Sequence, residues 1–162
     1  MNKSQNLLGI LRIGLGWIFF WAFFDKLLGL GFATAREAAW LAGGSPTYGF
    51  LTFGTKGPFA EIFKAMAGNP VLDWIFMLGL LLIGVAMILG IGVRIAGYAG
   101  ALMMFLMYLA GFLPPEHNPF LDEHLINLVL FLFLALSDSG RYIGLGNWWS
   151  NLKVVQRYGF LK

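Results

Sequence analysis

Long apolar stretches constrain this chain more than any other feature. Residues 71–90 and 94–113 each carry enough apolar side chains for a helix, rising about 1.5 Å per residue, to cross a hydrocarbon core about 30 Å thick. Of the 162 residues, 59% are hydrophobic and only 12% are charged, and the mean hydropathy is +0.75. Those values lie outside the soluble globular range. The expected fold is an all-α integral membrane protein, one domain over residues 1–162.

Local signals divide it into an antiparallel bundle of four transmembrane helices, at about 7–30, 71–90, 94–113 and 119–136. Met1 to Asn6 lead into the first apolar run without a small-residue cleavage site, so that run is expected to be a membrane helix rather than a removed signal peptide. The second and fourth segments open alike, with Asn69-Pro70-Val71-Leu72-Asp73 and Asn118-Pro119-Phe120-Leu121-Asp122. Each offers an Asn cap, a proline at the first helical position and an acid near the positive end of the helix dipole. Gly90 and Gly92 mark a tight reversal, and Pro114-Pro115 ends the third segment. Gly92, Ala96 and Gly100 form a small-residue seam that suits close helix packing and is compatible with a homo-oligomer. The 31–70 connection is expected to carry short amphipathic helices over Ala33–Ala42 and Pro58–Ala67. The tail, 137–162, is basic and aromatic and reads as an interfacial anchor.

Charge placement gives a topology. Lys3, Arg12, Arg94, Arg141, Lys153, Arg157 and Lys162 fall on the side of the termini; Lys26, Arg36, Lys56 and Lys64 fall on the other, with every acid except Asp138. The positive-inside rule places both termini in the cytoplasm and loop 31–70 outside. In the first segment the uncharged stretch Ile13–Phe24 spans only about 18 Å, so Arg12, the Asp25-Lys26 pair, or both lie at membrane depth. Arg12 is expected to snorkel to the headgroups. Asp25 shares a stripe with Trp17 and Trp21.

The stretch Asn118–Asn127 concentrates the chemistry. On a helix starting at Pro119, Glu123, His124 and Asn127 share one arc and Asp122 points elsewhere. Ionisable groups at a membrane boundary belong on a face turned to protein or water. With no cysteine, iron–sulfur and thioether-haem chemistry is excluded. The two histidines, His117 and His124, lie too close to one helix start for bis-histidine haem. Helical spacing does not gather Asp122, Glu123, His124 and His117 around one metal, and no metal is expected. The dispersed cations give no nucleic-acid footprint. A carbonyl-bearing ring such as a quinone fits better: His124 with Glu123 or Asp25 exchanges protons, while Asn127 and the aromatics of the first helix, Trp21 among them, line the ring. The plainer alternative is that Glu123 and His124 satisfy the helix end or water.

Leu11-Arg12-Ile13-Gly14, Asp25-Lys26, the turn Gly90 to Arg94, Asn118 to Asn127 and the exit Ala135 to Gly146 follow one another in an order that resembles the DoxX/DoxD family of four-helix membrane proteins. The resemblance covers nearly the whole chain. It implies a membrane subunit of thiosulfate:quinone oxidoreductase type, with quinone as electron acceptor arriving from lipid, no covalently bound cofactor and a soluble or membrane partner subunit. Lys26, with Arg36, Lys56 or Lys64, would then receive the anion. Two other classes stay open: a non-catalytic membrane scaffold recruiting soluble redox partners through loop or tail, and a binder or carrier of a lipid or other small apolar molecule.

Overall fold

A computed structural model describes residues 2–111 and 119–161. Among them the structure is helical, with no strand. Helix α1 (Lys3–Leu28) starts at a reciprocal cap, in which Asn2 and Gln5 each accept the other's backbone N–H through the side chain. The connection that follows is built from short 3₁₀ turns at Arg36–Ala38 and Trp40–Ala42, a π turn at Phe50–Gly54 and α2 (Ala60–Lys64). Then come α3 (Pro70–Leu89), α4 (Val93–Ala110) and α5 (Glu123–Leu136). The tail forms a 3₁₀ turn at Ser139–Arg141, α6 (Gly146–Ser150), α7 (Lys153–Arg157) and a last turn at Gly159–Leu161. By length and composition α1, α3 and α4 can each cross a membrane; α5, with 14 residues, is apolar but shorter.

Helix α1 packs on α3, and α4 on α5, each pair antiparallel, with α3 and α4 joining the pairs. Close approach sets the first crossing: a Cβ on Gly84 would lie 2.7 Å from the backbone nitrogen of Phe20. At the second, a Cβ on Gly100 would lie 2.5 Å from the Phe131 ring. Phe131 itself meets Phe19 of α1 edge to face, with ring centroids 5.1 Å apart, so one apolar core runs through all four helices. The expected seam holds at Ala96 and Gly100, both buried. Gly92 instead takes a left-handed conformation in the α3–α4 turn, and nothing lies within 4 Å of where its Cβ would be.

The polar groups sit at the two ends. The C-terminal ends of α1 and α4, the N-terminal ends of α3 and α5 and the 31–70 connection make the loop end; the opposite helix ends and the tail make the tail end. Between them the surface is apolar. On α5 the outward face is Ile126, Val129, Phe133 and Leu136, each at least half exposed.

Two expected helices are not formed as drawn. Over Ala33–Ala42 the chain makes two separate turns, because Ala39 takes an extended ψ of 144° and breaks the helical path. The fourth long helix starts at Glu123, not Pro119; the expected cap, Asn118, lies outside the described residues, as does His117.

Candidate functional site at the loop end

Asp122 is the cap of α5. Its Oδ1 accepts the Leu125 N–H at 3.0 Å, while its Oδ2 lies 2.8 Å from Nδ1 of His124. A carboxylate only accepts, so Nδ1 carries the hydrogen, and in the neutral form of the ring Nε2 is then the acceptor. The expectation that Asp122 points away from His124 is therefore wrong: with the helix starting at Glu123, Asp122 stands in the extended conformation just before the first turn and reaches back over it. Glu123 is exposed, and Asn127, one turn further on, is half-buried. Among the described residues no hydrogen bond or ion pair joins His124 to Glu123 or to Asp25.

Asp25 is buried, and its two oxygens accept the backbone N–H groups of Phe32 (3.1 Å) and Ala33 (2.9 Å). The carboxylate thus folds the chain back over the end of α1, a positioning role that charge-assisted hydrogen bonds suit. Lys26 beside it is half-buried, with Nζ 6.0 Å from the centre of the Phe76 ring on α3, at the outer limit of a cation–π contact. Trp21 stacks on Trp17 at 5.8 Å and meets the edge of Phe32 at 5.2 Å. An aromatic wall therefore stands at this end of α1, as the stripe suggests.

Two groups that matter most to the architecture were not singled out for it. Asp73, on the first turn of α3, is buried, and its Oδ1 accepts from Ser45 Oγ (2.9 Å), Thr47 Oγ1 (2.6 Å) and Thr47 N (3.2 Å). This latch ties the middle of the long connection to the bundle. Asp73→Ala is expected to cost about 2–3 kcal/mol, the order of hydrogen bonds to one charged acceptor, and to expose residues 43–57 to limited proteolysis. Asp73→Asn, which keeps an oxygen at the same place, should recover most of the protection.

At the tail end Arg12 is fully buried. Its guanidinium donates to the carbonyls of Met87 and Ile88 at the C-terminal end of α3, and to those of Tyr142 (3.0 Å) and Ile143 (2.9 Å) in the tail. The expected snorkelling does not occur: these carbonyls accept from Nη1 and Nη2 where the group stands, and only Nε is left buried without a partner among the described residues. Gly90 leaves room for the fork: with φ at 75°, its Cβ would lie 2.6 Å from Arg12 Nη1. The sequence signal was the shortness of Ile13–Phe24, which implies a charge at depth if α1 crosses a membrane.

Among the described residues no three His, Cys, Asp or Glu side chains are grouped to hold a metal ion. Neither a small, partly open cavity of about 30 Å³ nor an open groove of about 400 Å³ at the tail end is lined by His124. What the loop end offers is a carboxylate-oriented imidazole and a half-buried ammonium, with aromatic rings on α1. No family model matches the chain, and neither a curated protein nor a solved structure does.

Proposed function

We propose that the chain is a DoxX/DoxD-like membrane protein, a four-span antiparallel bundle with both termini cytoplasmic, serving as the membrane component of a quinone-linked oxidoreductase of thiosulfate:quinone type. The apolar coat between two polar ends supports the membrane reading, because exposed apolar patches of this extent are not tolerated in water. The apolar outward face of α5 supports reading that helix as the fourth span despite its length. The excess of cations at the tail end supports the orientation.

The observation that carries the chemical reading is the Asp122–His124 pair. Joining two thiosulfate anions through an S–S bond releases two electrons; a quinone takes up those electrons with two protons to become a quinol. His124, oriented by Asp122, is suited to hold or pass one of those protons at Nε2. Lys26 supplies positive charge for the anion, Trp21 apolar contact for the ring, and Glu123 and Asn127 complete the polar rim, while Asp25, buried, fixes the start of the loop that follows α1. A partner subunit carries the remaining sulfur chemistry.

The test is binding of a short-chain quinone analogue to detergent-solubilised protein, read by quenching of its six tryptophans. Saturable quenching is expected in the wild type, with affinity about tenfold weaker in His124→Ala, equivalent to about 1.4 kcal/mol, and partly restored in His124→Gln. Absence of saturable quenching, or equal affinity in His124→Ala, overturns the assignment. The Asp73 latch favours one alternative, a scaffold that displays loop 31–70 as a fixed surface for soluble redox partners; partner capture would then depend on Asp73 and be indifferent to His124.

A further inference from the structure

The groove at the tail end lies apart from the loop-end site. It is a shallow, laterally open groove along the start of α4, lined by Arg94, Ile95, Tyr98, Ala99 and Leu102 together with Phe160 of the last turn. Its volume, about 400 Å³, is within the range of small-molecule sites, about 300–1,000 Å³. From Arg94 to Leu102 the helix rises about 12 Å, so the groove has a cationic residue at one end and an apolar one at the other.

Three observations define the occupant. First, Ile95, Tyr98 and Leu102 are all about half exposed on the outward face of α4, so in a membrane the groove opens sideways to lipid. Second, Arg94 is exposed and spends one nitrogen, Nη1, on the Gly159 carbonyl at 3.3 Å. That bond ties the last turn against α4 and holds the guanidinium at the rim, with other donors still unused among the described residues. Third, the same tail carries exposed Lys153 and Arg157 on α7, and Asp138 is the only acid in residues 137–162. An amphiphile with a negative headgroup and a hydrocarbon chain matches this arrangement, since a guanidinium fork binds phosphate oxygens in pairs and juxtamembrane cations favour anionic lipid.

We infer that the α4 groove, with Arg94 at one end and Phe160 in its lining, is a binding site for one anionic phospholipid of the leaflet on the tail side. The site rests on the membrane reading of the fold and not on the quinone assignment. Its bound lipid would brace the tail against α4, where the Arg94–Gly159 hydrogen bond already holds it.

The experiment uses the full chain in mild detergent, titrated with dioleoyl phosphatidylglycerol or dioleoyl phosphatidylcholine, with bound lipid counted by native mass spectrometry. The wild type is expected to retain one phosphatidylglycerol in preference to phosphatidylcholine. Arg94→Gln should reduce that preference by about tenfold, or about 1.4 kcal/mol, and Phe160→Ala should weaken retention of both lipids. Lys64→Gln at the loop end should change neither, and an unchanged melting temperature without lipid shows that each variant is folded. Equal retention of the two lipids by the wild type overturns the site. So does a preference that survives Arg94→Gln but vanishes in Lys153→Gln/Arg157→Gln, which would be diffuse surface attraction. A chain that stays in solution without detergent would refute the membrane reading itself, whereas a membrane-bound chain without lipid preference refutes only the groove.

Discussion

Replacing Arg12 by leucine is expected to lower the melting temperature of the detergent-solubilised protein by about 10 °C or more and to release the tail. The guanidinium bridges carbonyls of α3 to those of Tyr142 and Ile143, residues 130 and 131 positions away along the chain. Hydrogen bonds to a charged donor contribute about 1.5–3 kcal/mol each; losing the two to the tail alone costs about 3–6 kcal/mol, those to α3 add to it, and a chain of this size loses about 2–4 °C per kcal/mol. The Met87 and Ile88 carbonyls would be left buried without a donor. Those of Tyr142 and Ile143 regain water only if the tail lifts, so proteolysis beyond residue 140 should accompany the thermal change. Arg12→Lys keeps the charge but not the fork, and should recover less than half of the loss. A leucine variant that melts with the wild type and keeps its tail protected would show that Arg12 is not the clasp.

The second large effect is at the helix crossings, where opposite signs are expected for the same chemical change. Gly84→Ala places a methyl group against the backbone of Phe20, which cannot rotate out of the way, so α1 and α3 must separate. Overpacking of this kind costs about 1–3 kcal/mol, and Gly84→Leu more. Gly14→Ala, on the exposed face of α1 with nothing within 4 Å, should be neutral or stabilising, by up to about 1 kcal/mol through helix propensity. Thermal melts of the two alanine variants decide it. Equal behaviour would mean that α1 and α3 do not cross at Gly84.

The apolar segments were readable because their limits are local. Asn69 and Pro70 start α3, Gly90 and Gly92 turn it into α4, and the observed spans lie within a few residues of the expected ones. The repeated Asn-Pro-x-Leu-Asp motif shows where local reading fails. Asn and Asp are both good caps, so each copy offers two possible starts. In the first copy Asn69 caps α3, and Asp73 is left free to hold Ser45 and Thr47. In the second, Asp122 is itself the cap, the helix starts at Glu123, and His124 is drawn to the carboxylate. In the first copy the deciding contacts, to Ser45 and Thr47, are distant in sequence, and no propensity records them. Arg12 illustrates the same limit. A charge at depth was implied by the short apolar stretch, yet its partners are backbone carbonyls, which carry no residue-type signature. Asp25 was expected in a stripe with Trp17 and Trp21, yet its partners Phe32 and Ala33 act through backbone N–H groups, which likewise leave no residue-type signature.

Everything proposed for the loop end and the groove depends on the two ends lying on opposite sides of a membrane. The absence of cysteine makes this directly measurable with single-cysteine variants labelled by a membrane-impermeant maleimide on intact cells. Glu123→Cys and Lys64→Cys are expected to react from outside, and Lys153→Cys only after the cells are permeabilised. Reaction of all three from the same side, or of Lys153→Cys alone from outside, would contradict the account.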